Sequence, residues 1–413
     1  MKKAILVLVA MIGMAGISRG DSWTQMASFP GIKRGDAFSF TINNKGFTGC
    51  GYDTSTTNVL KDFWEYDPSN NAWTQKADFG GMPRMLAIGF SIGNKGYAGT
   101  GVSFNPATCF QDFWEYDPST NLWTQKANFS GGGRFGAAGF SINNNGYLFS
   151  GQSIDSSNYF VFINDFWQYN PSTDLWTLKT TFSNAGISNA ASFVILGKGY
   201  VGTGFDSTIN NLLQSFWVYD TLSNSWTQIA DFPIRCCDAR GLSICDKGYV
   251  VTGELSPQHC DSSLFEYNPI TNQWIQKMNF PGLSRDEATC FSIGNKGYLG
   301  LGGDDGDILY SDFWQYTPDS ACTTGIEELS NNKINIDFFP NPFTDKTTLT
   351  ITGNPQNTVL NIFNIQGQKV KSLFIGNATE MVIDRDDLSE GIYFYELIDS
   401  NSKPIATGKM VVE

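Results

Sequence analysis

The residues in this sequence that are able to do chemistry include a single histidine, His259. A histidine-rich zinc centre needs several imidazole ligands, so that class of site is excluded, and a Ser-His-Asp triad would depend on His259 alone. His259-Cys260 and Cys236-Cys237 could supply either a metal site or a disulfide, and their irregular spacing favours a disulfide. We therefore expect no metal and no cofactor.

A second set consists of arginines, most of which follow a phenylalanine by five residues. The set is Arg34, Arg84, Arg134, Arg235 and Arg285, with Arg235 displaced by a shortening of its segment. Guanidinium groups form paired hydrogen bonds to anions, so these arginines are candidates for a ring that binds an anion or an acidic glycan. The alternative is structural, with each guanidinium satisfying backbone carbonyls, and the sequence leaves both open.

Two acidic segments also carry potential ligands. Residues 302–307, Gly-Gly-Asp-Asp-Gly-Asp, offer oxygen atoms but lack the spacing of a calcium loop, which favours a solvated turn. Arg34-Gly35-Asp36 is a tripeptide that some adhesion receptors recognise. Because arginine recurs at that position in the chain, we interpret the tripeptide as a coincidence.

The elements that position these residues form a repeat. A Trp-Thr-Gln-like segment recurs at intervals of 48 to 53 residues, and the order of the pieces between successive copies does not change. Its tryptophans are Trp23, Trp73, Trp123, Trp176, Trp226 and Trp274. Self-similarity at this period is typical of solenoids and propellers.

Each unit predicts four short strands, A to D. In the first unit, strand A alternates apolar residues from Phe38 to Ile42, strand B contains Gly46-Phe47, strand C contains Phe63 to Tyr66, and strand D contains Trp73. Strand C is apolar on both faces, so each sheet must pack between two similar sheets, as radial repetition allows. The strands alternate in direction, which places the variable B–C and D–A loops on one face. We expect recognition on that face.

The last unit has no strand D of its own. The position expected for its tryptophan is Thr323, whereas Asp21 to Gln25 form a strand D with no preceding A to C strands. We predict that this N-terminal strand completes the last sheet and places Trp23 beside Tyr316. The pairing would remove two exposed sheet edges.

These units resemble kelch repeats. The Tyr and Trp of that repeat, separated by six residues, are present as Tyr66/Trp73, Tyr116/Trp123, Tyr169/Trp176, Tyr219/Trp226 and Tyr267/Trp274. The family's glycine doublet is present at Gly302-Gly303 and becomes Gly-x-Gly in other units, such as Gly49/Gly51. The resemblance implies an all-β fold, a six-bladed kelch-like β-propeller over residues 21–318. Copper-radical oxidases of this type need more than one histidine, and the boxes of sialidase propellers are absent, so both activities are excluded.

The C-terminal part follows a different pattern. Its marks are Phe339 to Phe343 (Phe-Pro-Asn-Pro-Phe), a Gly-Gln turn at 366–368, Gly391 to Phe394 (Gly-Ile-Tyr-Phe) and an apolar end at 410–412. They resemble the type A C-terminal sorting domain of the type IX secretion system. The resemblance implies a small Ig-like β-sandwich at 338–413 that the export machinery recognises as its partner. Residues 319–337 are polar and predict a linker.

The N-terminus and the net charge bear on location and partners. Lys2, Lys3, the apolar run from Ala4 to Ile17 and the small residues Ser18 and Gly20 indicate a signal peptide over residues 1–20. The run is short for a membrane span, so we expect no transmembrane segment in the mature protein, and a secreted or outer cell-surface location. The formal net charge of −13 argues against a nucleic-acid partner.

Eight cysteines in an exported chain permit disulfides. Cys260 lies in the B–C loop of the fifth unit, and Cys236 and Cys237 lie in its D–A loop. Because both loops emerge on the same face, we predict a disulfide from Cys260 to Cys236 or Cys237.

The function that these observations favour is binding of a glycan or a protein through the face of the B–C and D–A loops. The alternative is a sugar epimerase, a mutarotase or another carbohydrate-active enzyme on the same scaffold, because the fold alone does not choose. An acid/base pair at the channel mouth would indicate catalysis, and the sequence does not identify one.

Overall fold

The computed structural model divides into two compact units, Met1–Cys322 and Thr323–Glu413. The structure describes residues 20–55, 58–182, 186–206, 208–256, 259–306, 308–319, 335–352, 357–365, 368–386, 388–399 and 404–413. The predicted signal peptide, except Gly20, and most of the predicted linker lie outside these residues. All regular structure in the described ranges is β-strand. No helix with the length and apolarity of a membrane span is found there.

The first unit contains six four-stranded antiparallel sheets, the blades of a propeller. Strands A to D of blade 1 are Phe38–Ile42, Lys45–Gly49, Phe63–Asp67 and Ala72–Gln75. Those of blade 2 are Ile88–Ile92, Lys95–Gly99, Phe113–Asp117 and Leu122–Lys126. Those of blade 3 are Ala138–Ile142, Asn145–Phe149, Asp165–Asn170 and Leu175–Thr181. Those of blade 4 are Ala191–Ile195, Lys198–Gly202, Phe216–Asp220 and Ser225–Gln228. Those of blade 5 are Arg240–Ile244, Lys247–Val251, Leu264–Asn268 and Gln273–Gln276. Those of blade 6 are Thr289–Ile293, Lys296–Gly300, Phe313–Thr317 and the N-terminal strand Ser22–Gln25.

The N-terminal strand closes the ring. Ser22–Gln25 pairs with Phe313–Thr317, and Trp23 lies opposite Tyr316, as the repeat predicts. Asp21 completes the match: its carboxylate accepts hydrogen bonds from the Met278 amide at 2.7 Å and from the Tyr316 hydroxyl at 3.1 Å. In blade 1 the Asn71 side chain, two residues before Trp73, accepts the equivalent bonds. The first segment is therefore a full strand D, with its cap.

Aromatic side chains fill the seams between blades. The strand C phenylalanine of one blade packs edge-on against the Tyr and Trp of the next; Phe63 lies 4.8 Å from Tyr116 and 5.0 Å from Trp123, between ring centroids. Phe313 makes the same contacts with Tyr66 and Trp73, both at 4.9 Å, across the seam that closes the ring. These contacts explain why the repeat keeps a Phe, a Tyr and a Trp at fixed spacing.

Strand A of every blade lines an axial channel. Its walls are the starts of the six A strands, each preceded by an alanine: Ala37, Ala87, Ala137, Ala190, Ala239 and Ala288. The D–A and B–C loops lie together at one mouth of this channel. Isolated bridges such as Gly35 with Tyr52 and Met85 with Val102 join the two loops of a blade.

The B–C loops carry short hairpins that the repeat pattern does not predict. They are Tyr52–Asp53 with Asn58–Val59, Val102–Phe104 with Ala107–Cys109, Gln152–Ile154 with Phe160–Phe162, Phe205–Asp206 with Asn211–Leu212, and Glu254–Ser256 with His259–Cys260. In blade 4 a further strand, Ile187–Ser188, joins the hairpin. The loop-bearing face is thus a set of projecting ribbons.

The second unit is two packed antiparallel sheets. One has the strand order Asn335–Phe339, Lys346–Thr352 and Glu380–Asp384, and the other Lys369–Gly376, Thr358–Phe363, Gly391–Ile398 and Pro404–Val412. Leu349, Leu360, Leu397 and Met410 are fully buried between them. The first strand starts at Asn335, inside the segment that the sequence suggests is linker.

Candidate functional site

Four of the predicted arginines occupy equivalent buried positions in the D–A loops. Each forms a two-pronged ion pair with the aspartate immediately before the strand C phenylalanine; the pairs are Arg34–Asp62, Arg84–Asp112, Arg134–Asp165 and Arg285–Asp312. In blade 1 both Arg34–Asp62 contacts are 2.7 Å, and Arg34 Nη1 also donates to the Cys50 carbonyl at 3.0 Å. We call these four the Arg–Asp pairs.

The Arg–Asp pairs are closed to solvent at the arginine. The four arginine residues have no exposed surface, and each guanidinium lies over a phenylalanine ring, 4.9 Å from the centroid in the case of Arg34 and Phe29. Burial acts to raise the pKa of Asp62, but the hydrogen bonds and charge of Arg34 outweigh it and lower that pKa. This geometry favours the structural alternative, in which the guanidinium groups hold the loops together.

Arg235 does not join the set. In blades 2, 3 and 6 the arginine carbonyl accepts a hydrogen bond from a glycine of the preceding blade, but in blade 5 the Gly204 amide bonds to Cys236 at 2.8 Å. Arg235 is exposed and donates to the Leu212 carbonyl at 3.0 Å. Its predicted membership is wrong because the shortened loop puts Cys236 at the arginine position.

The predicted disulfide is also absent. Cys236, Cys237 and Cys260 carry free thiols. The Cys260 amide donates to Asp305 Oδ1 at 2.7 Å, and its Sγ lies 3.9 Å from the Gly303 carbonyl. Cys260 is therefore held against the B–C loop of blade 6 instead of the D–A loop of its own blade.

A ring of residues with positive φ surrounds the channel mouth, two residues beyond the arginine position in each blade. Its members are Asp36, Leu86, Gly136, Asn189, Asp238 and Glu287, with φ between 51° and 62°. Around most of the ring the amide of one member donates to the carbonyl of the member before it, as from Asp36 to Glu287 at 3.2 Å and from Leu86 to Asp36 at 3.1 Å. Non-glycine residues adopt this conformation at a cost, and such positions are common in functional sites.

Three adjoining members of this ring are acidic, in blades 5, 6 and 1. With Asp286 they make up what we call the acidic cluster: Asp36, Asp238, Asp286 and Glu287. Burial raises the pKa of Asp36, and the charges of Asp238 and Asp286 raise it further, against the opposing effect of Arg240. Burial is likewise the main cause of the raised pKa values of Asp238 and Glu287.

One cation faces the cluster. Arg240 Nη2 lies 3.5 Å from Asp36 Oδ1, and Arg240 Nε donates to the Ala288 carbonyl at 2.6 Å. Among the residues that the structure describes, Arg240 is the cation that acts on the pKa values of Asp36, Asp238 and Asp286, so the acids of the cluster outnumber the cation. The cluster is therefore suited to hold protons or to attract positive charge.

Gly35 makes room for one member of the cluster. A Cβ at this position would lie 2.3 Å from Glu287 Oε2 and 2.9 Å from Tyr52 Cε1. The Tyr52 side chain forms a hydrogen bond with Glu287, and burial followed by the Glu287 charge raises the Tyr52 pKa. Glycine at position 35 thus allows the Glu287 carboxylate to cross from blade 6 to blade 1.

A cavity of about 180 Å³ opens beside the acidic cluster. Its walls are formed by Tyr52, Glu254, Asp286, Glu287, Gly303, Asp304, Asp305 and Leu309. Burial raises the pKa of Asp286 to about 7, and the neighbouring Asp238 and Glu254 charges act in the same direction. Asp286 can therefore exchange a proton near neutral pH.

Potential metal ligands lie at the side of the cavity. The Cys237 thiol and the Asp238 and Glu254 carboxylates have ligand atoms within 4.8 Å of one another. Burial, reinforced by Asp238, raises the Cys237 pKa, which keeps the thiol protonated in the absence of a cation. In the acidic segment at residues 302–307, Asp304 Oδ1 accepts hydrogen bonds from the amides of Gly306 and Ile308. This oxygen therefore stabilises the turn in which it lies.

Comparisons with known proteins agree with this architecture. A kelch motif model matches residues 199–233, and a secretion system C-terminal sorting domain model matches residues 337–413. The structure of YjhT aligns with a TM-score of 0.60 and 15% identity, over 70% of this chain and 95% of that one. The chain has a β-propeller fold that contains a kelch motif, and it carries a secretion system C-terminal sorting domain.

A curated relative is far larger than the matched segment. The human kelch repeat and BTB domain-containing protein 8 is 31% identical over 97 residues, which are 22% of the propeller chain and 15% of the relative. The similarity to YjhT supports the fold. The sorting domain indicates export, to the medium or the cell surface, through the secretion system that recognises it.

Sequence reasoning missed the acidic cluster, although a signal was present. Aligning the six units on the alanine that precedes each strand A puts Asp36, Asp238 and Glu287 in one column. Treating Asp36 only as part of an Arg-Gly-Asp tripeptide hid this equivalence. In the structure Arg34 is fully buried and Asp36 is 4% exposed, so the tripeptide is enclosed by the loops.

Proposed function

We propose that this exported kelch propeller is a binding module that recognises a glycan or a protein through the face of its B–C and D–A loops. The observation that carries the proposal is the location of its departures from six-fold repetition. The acidic cluster, the cavity and the projecting hairpins all lie on this face, whereas the A–B turns are short and nearly uniform. Variable loops on a repeated scaffold are where recognition usually takes place.

The electrostatics of this face set the sign of the ligand charge. Four of the five arginines that could have attracted an anion are neutralised within the Arg–Asp pairs, which leaves Arg235. The cavity is lined instead by Glu254, Asp286, Glu287, Asp304 and Asp305. A neutral or positively charged ligand is therefore favoured over the acidic glycan that the arginine ring would suggest.

The test compares loop variants with turn variants in the full mature chain. Ligands are first identified with glycan arrays and protein arrays. Their affinity is then measured for a loop variant, in which Asn replaces Asp304 and Asp305, and for an A–B turn variant, in which Gly replaces Asn143 and Asn144. Loss of binding is expected from the first pair of substitutions and not from the second. Binding that depends on the A–B turn and is indifferent to every loop variant would contradict the proposal.

Acid/base catalysis on a sugar is the second candidate. The observation in its favour is Asp286, whose pKa is raised to about 7 beside a cavity that also presents Tyr52 and Glu287. Incubation with neutral aldoses, followed by NMR of anomer exchange and epimer formation, tests it. Acceleration that Asp286→Asn abolishes would favour the enzyme, and rates equal to buffer alone would exclude it for those sugars.

A further inference from the structure

The loop face carries an exposed apolar surface away from the acidic cluster. We call it the aromatic ledge; its residues are Phe104 (49% exposed), Tyr159 (72%), Phe160 (57%) and Val161 (43%). Phe104 ends the first strand of the blade 2 hairpin, and Phe160 begins the second strand of the blade 3 hairpin. Neighbouring blades thus present their apolar side chains together.

The ledge has a fixed geometry. Phe135, which is 2% exposed, lies between the two hairpins with its ring centroid 6.0 Å from that of Phe104 and 6.0 Å from that of Phe160. Both contacts are edge-to-face, at interplanar angles of 83° and 70°. A buried aromatic ring therefore orients the exposed ones, which reduces the entropy that a partner must remove on binding.

The chemistry of the ledge favours a protein surface over a sugar. Phenylalanine and valine side chains offer no hydrogen-bond donor or acceptor, so three of the four ledge residues contribute only apolar contact. Sugar hydroxyls need polar partners, whereas the desolvated centre of a protein interface is rich in aromatic residues. Clustered exposed apolar side chains commonly mark such an interface.

The surrounding charge identifies the kind of protein. The two loops that form the ledge, residues 101–111 and 151–164, contain no lysine or arginine and one acid, Asp155. Each of the other four B–C loops, residues 51–61, 204–214, 253–263 and 302–311, contains Asp or Glu, and Lys61 is the single lysine or arginine among them. The whole chain has a formal charge of −13. A basic partner is attracted to this face, and a second copy of the chain is repelled by it.

We propose that the aromatic ledge docks a protein partner whose contact surface has an apolar centre surrounded by lysine and arginine. This inference rests on the proposed function, since it names the partner class for the same face. The partner's apolar side chains cover Phe104 and Phe160, and its cations face the acidic loops. Apolar contact with the ledge supplies most of the affinity. Electrostatic attraction guides the approach of the partner, and added salt weakens that attraction.

Defined peptides test the proposal with the full mature chain. The probe is a fluorescent amphipathic peptide that combines Leu and Phe with Arg; one matched peptide has Glu in place of Arg, and another has Ser in place of Leu and Phe. Anisotropy titration is expected to show binding of the first peptide only. The affinity is expected to fall about tenfold with Phe160→Ser, the loss typical of an interface anchor.

Controls are available on the same blade. Leu175 is 59% exposed on strand D, so Leu175→Ser removes a comparable apolar side chain away from the ledge and is expected to leave binding unchanged. Tyr159→Ser, at the most exposed ledge position, provides a second ledge variant with little risk to folding. Raising the salt from about 50 to about 300 mM is expected to weaken binding, because it shortens the Debye length.

The outcomes separate the inference from the proposed function. Equal binding of the Glu peptide, or no effect of either ledge variant, would overturn the inference. If the mature chain forms dimers that Phe160→Ser dissociates, the occupant of the ledge is a second copy of the chain. If Phe160→Ser abolishes binding of a glycan found on the array, the occupant is a sugar. Either result would overturn the inference. Glycan binding lost with loop variants elsewhere on the face would leave the proposed function intact while this inference fails.

Discussion

The Arg–Asp pairs and the acidic cluster place carboxylates in the same set of loops under opposite electrostatic conditions. Asp62 lies against the guanidinium of Arg34, which holds its pKa below the ordinary value. Asp36, two residues after Arg34, is buried among other acids, and its pKa is raised well above the ordinary value. Position in the repeat therefore decides whether a carboxylate stabilises the blade or remains available for another purpose.

The two groups also differ in their distribution around the ring. The Arg–Asp pairs are present in blades 1, 2, 3 and 6, and blades 4 and 5 lack both halves. Ile187 and Cys236 replace the arginine, and Ser215 and Ser263 replace the aspartate. Joint loss is what a structural ion pair requires, because a single remaining charge would be buried without a partner. The acidic cluster shows no such compensation, since its acids share one arginine.

The largest expected effect comes from breaking a pair. Arg84→Ile leaves Asp112 near the protein interior without its cation, and we expect a loss of about 3–5 kcal/mol in the free energy of unfolding. The double variant Arg84→Ile with Asp112→Ser copies blade 4 and should recover most of that loss. Urea denaturation measures both, and a double variant as unstable as the single one would refute the structural role.

A smaller loss of stability is expected from a substitution at Gly35, which lies against the acidic cluster. Gly35→Ala places a methyl group 2.3 Å from the present position of Glu287 Oε2, so the carboxylate must move. We expect a loss of about 1–3 kcal/mol, typical of overpacking. In a Glu287→Ala background the same substitution should cost less, because only the close contact with Tyr52 Cε1 at 2.9 Å remains. Equal costs in both backgrounds would show that Glu287 does not occupy this space.

Removing an ionisable group from the acidic cluster is expected to stabilise the folded protein, whereas breaking an Arg–Asp pair is expected to destabilise it. Glu287→Gln keeps the shape of the side chain and removes a carboxyl group whose ionisation is opposed by burial and by the charges of Asp36 and Asp238. The melting temperature at pH 8 should rise by about 2–4 °C, the shift that about 1 kcal/mol produces in a domain of more than 150 residues. A fall comparable to that of Asp112→Asn, measured in parallel, would erase the distinction between the two groups.

The weakest expected signature is a pH dependence. The pKa of Asp286 is about 7 in the folded protein and 3.8 as its ordinary value, so the folded state holds the proton more tightly. Its contribution to stability is complete below about pH 4 and is lost as the pH rises to about 7. Asp286→Asn should therefore gain stability relative to wild type between pH 5 and pH 8. A constant difference across this range would show that Asp286 does not titrate there.

Much of the propeller could be predicted from its sequence because its information is local and repeated. Each unit contains its own alternating strand, its Gly-aromatic strand and its Tyr and Trp, so six copies report the same structure. The N-terminal strand follows by the same logic, because Asp21 to Gln25 match a strand D that the last unit lacks. The B–C hairpins could not be predicted in this way, since their lengths and residues differ from blade to blade.

The arginines illustrate the limit of that reasoning. Their spacing indicated a common role, but the choice between binding and structure depended on Asp62, Asp112, Asp165 and Asp312, which lie 27 to 31 residues away in the chain. The cysteines show the same limit, because the neighbour of Cys260 proved to be Asp305 of the next blade.

By itself, the sequence determined the period, the strands, the blade number, the closing segment and the sorting domain, because each depends on residues close together in the chain. Only the tertiary structure decided which side chains meet at the channel mouth. Asp36 and Glu287 are 251 residues apart and become neighbours through a backbone hydrogen bond of 3.2 Å. That contact exists because the N-terminal strand closes the ring and brings blade 1 against blade 6. Ring closure and burial together bring four acids from the loops of three blades into one cluster.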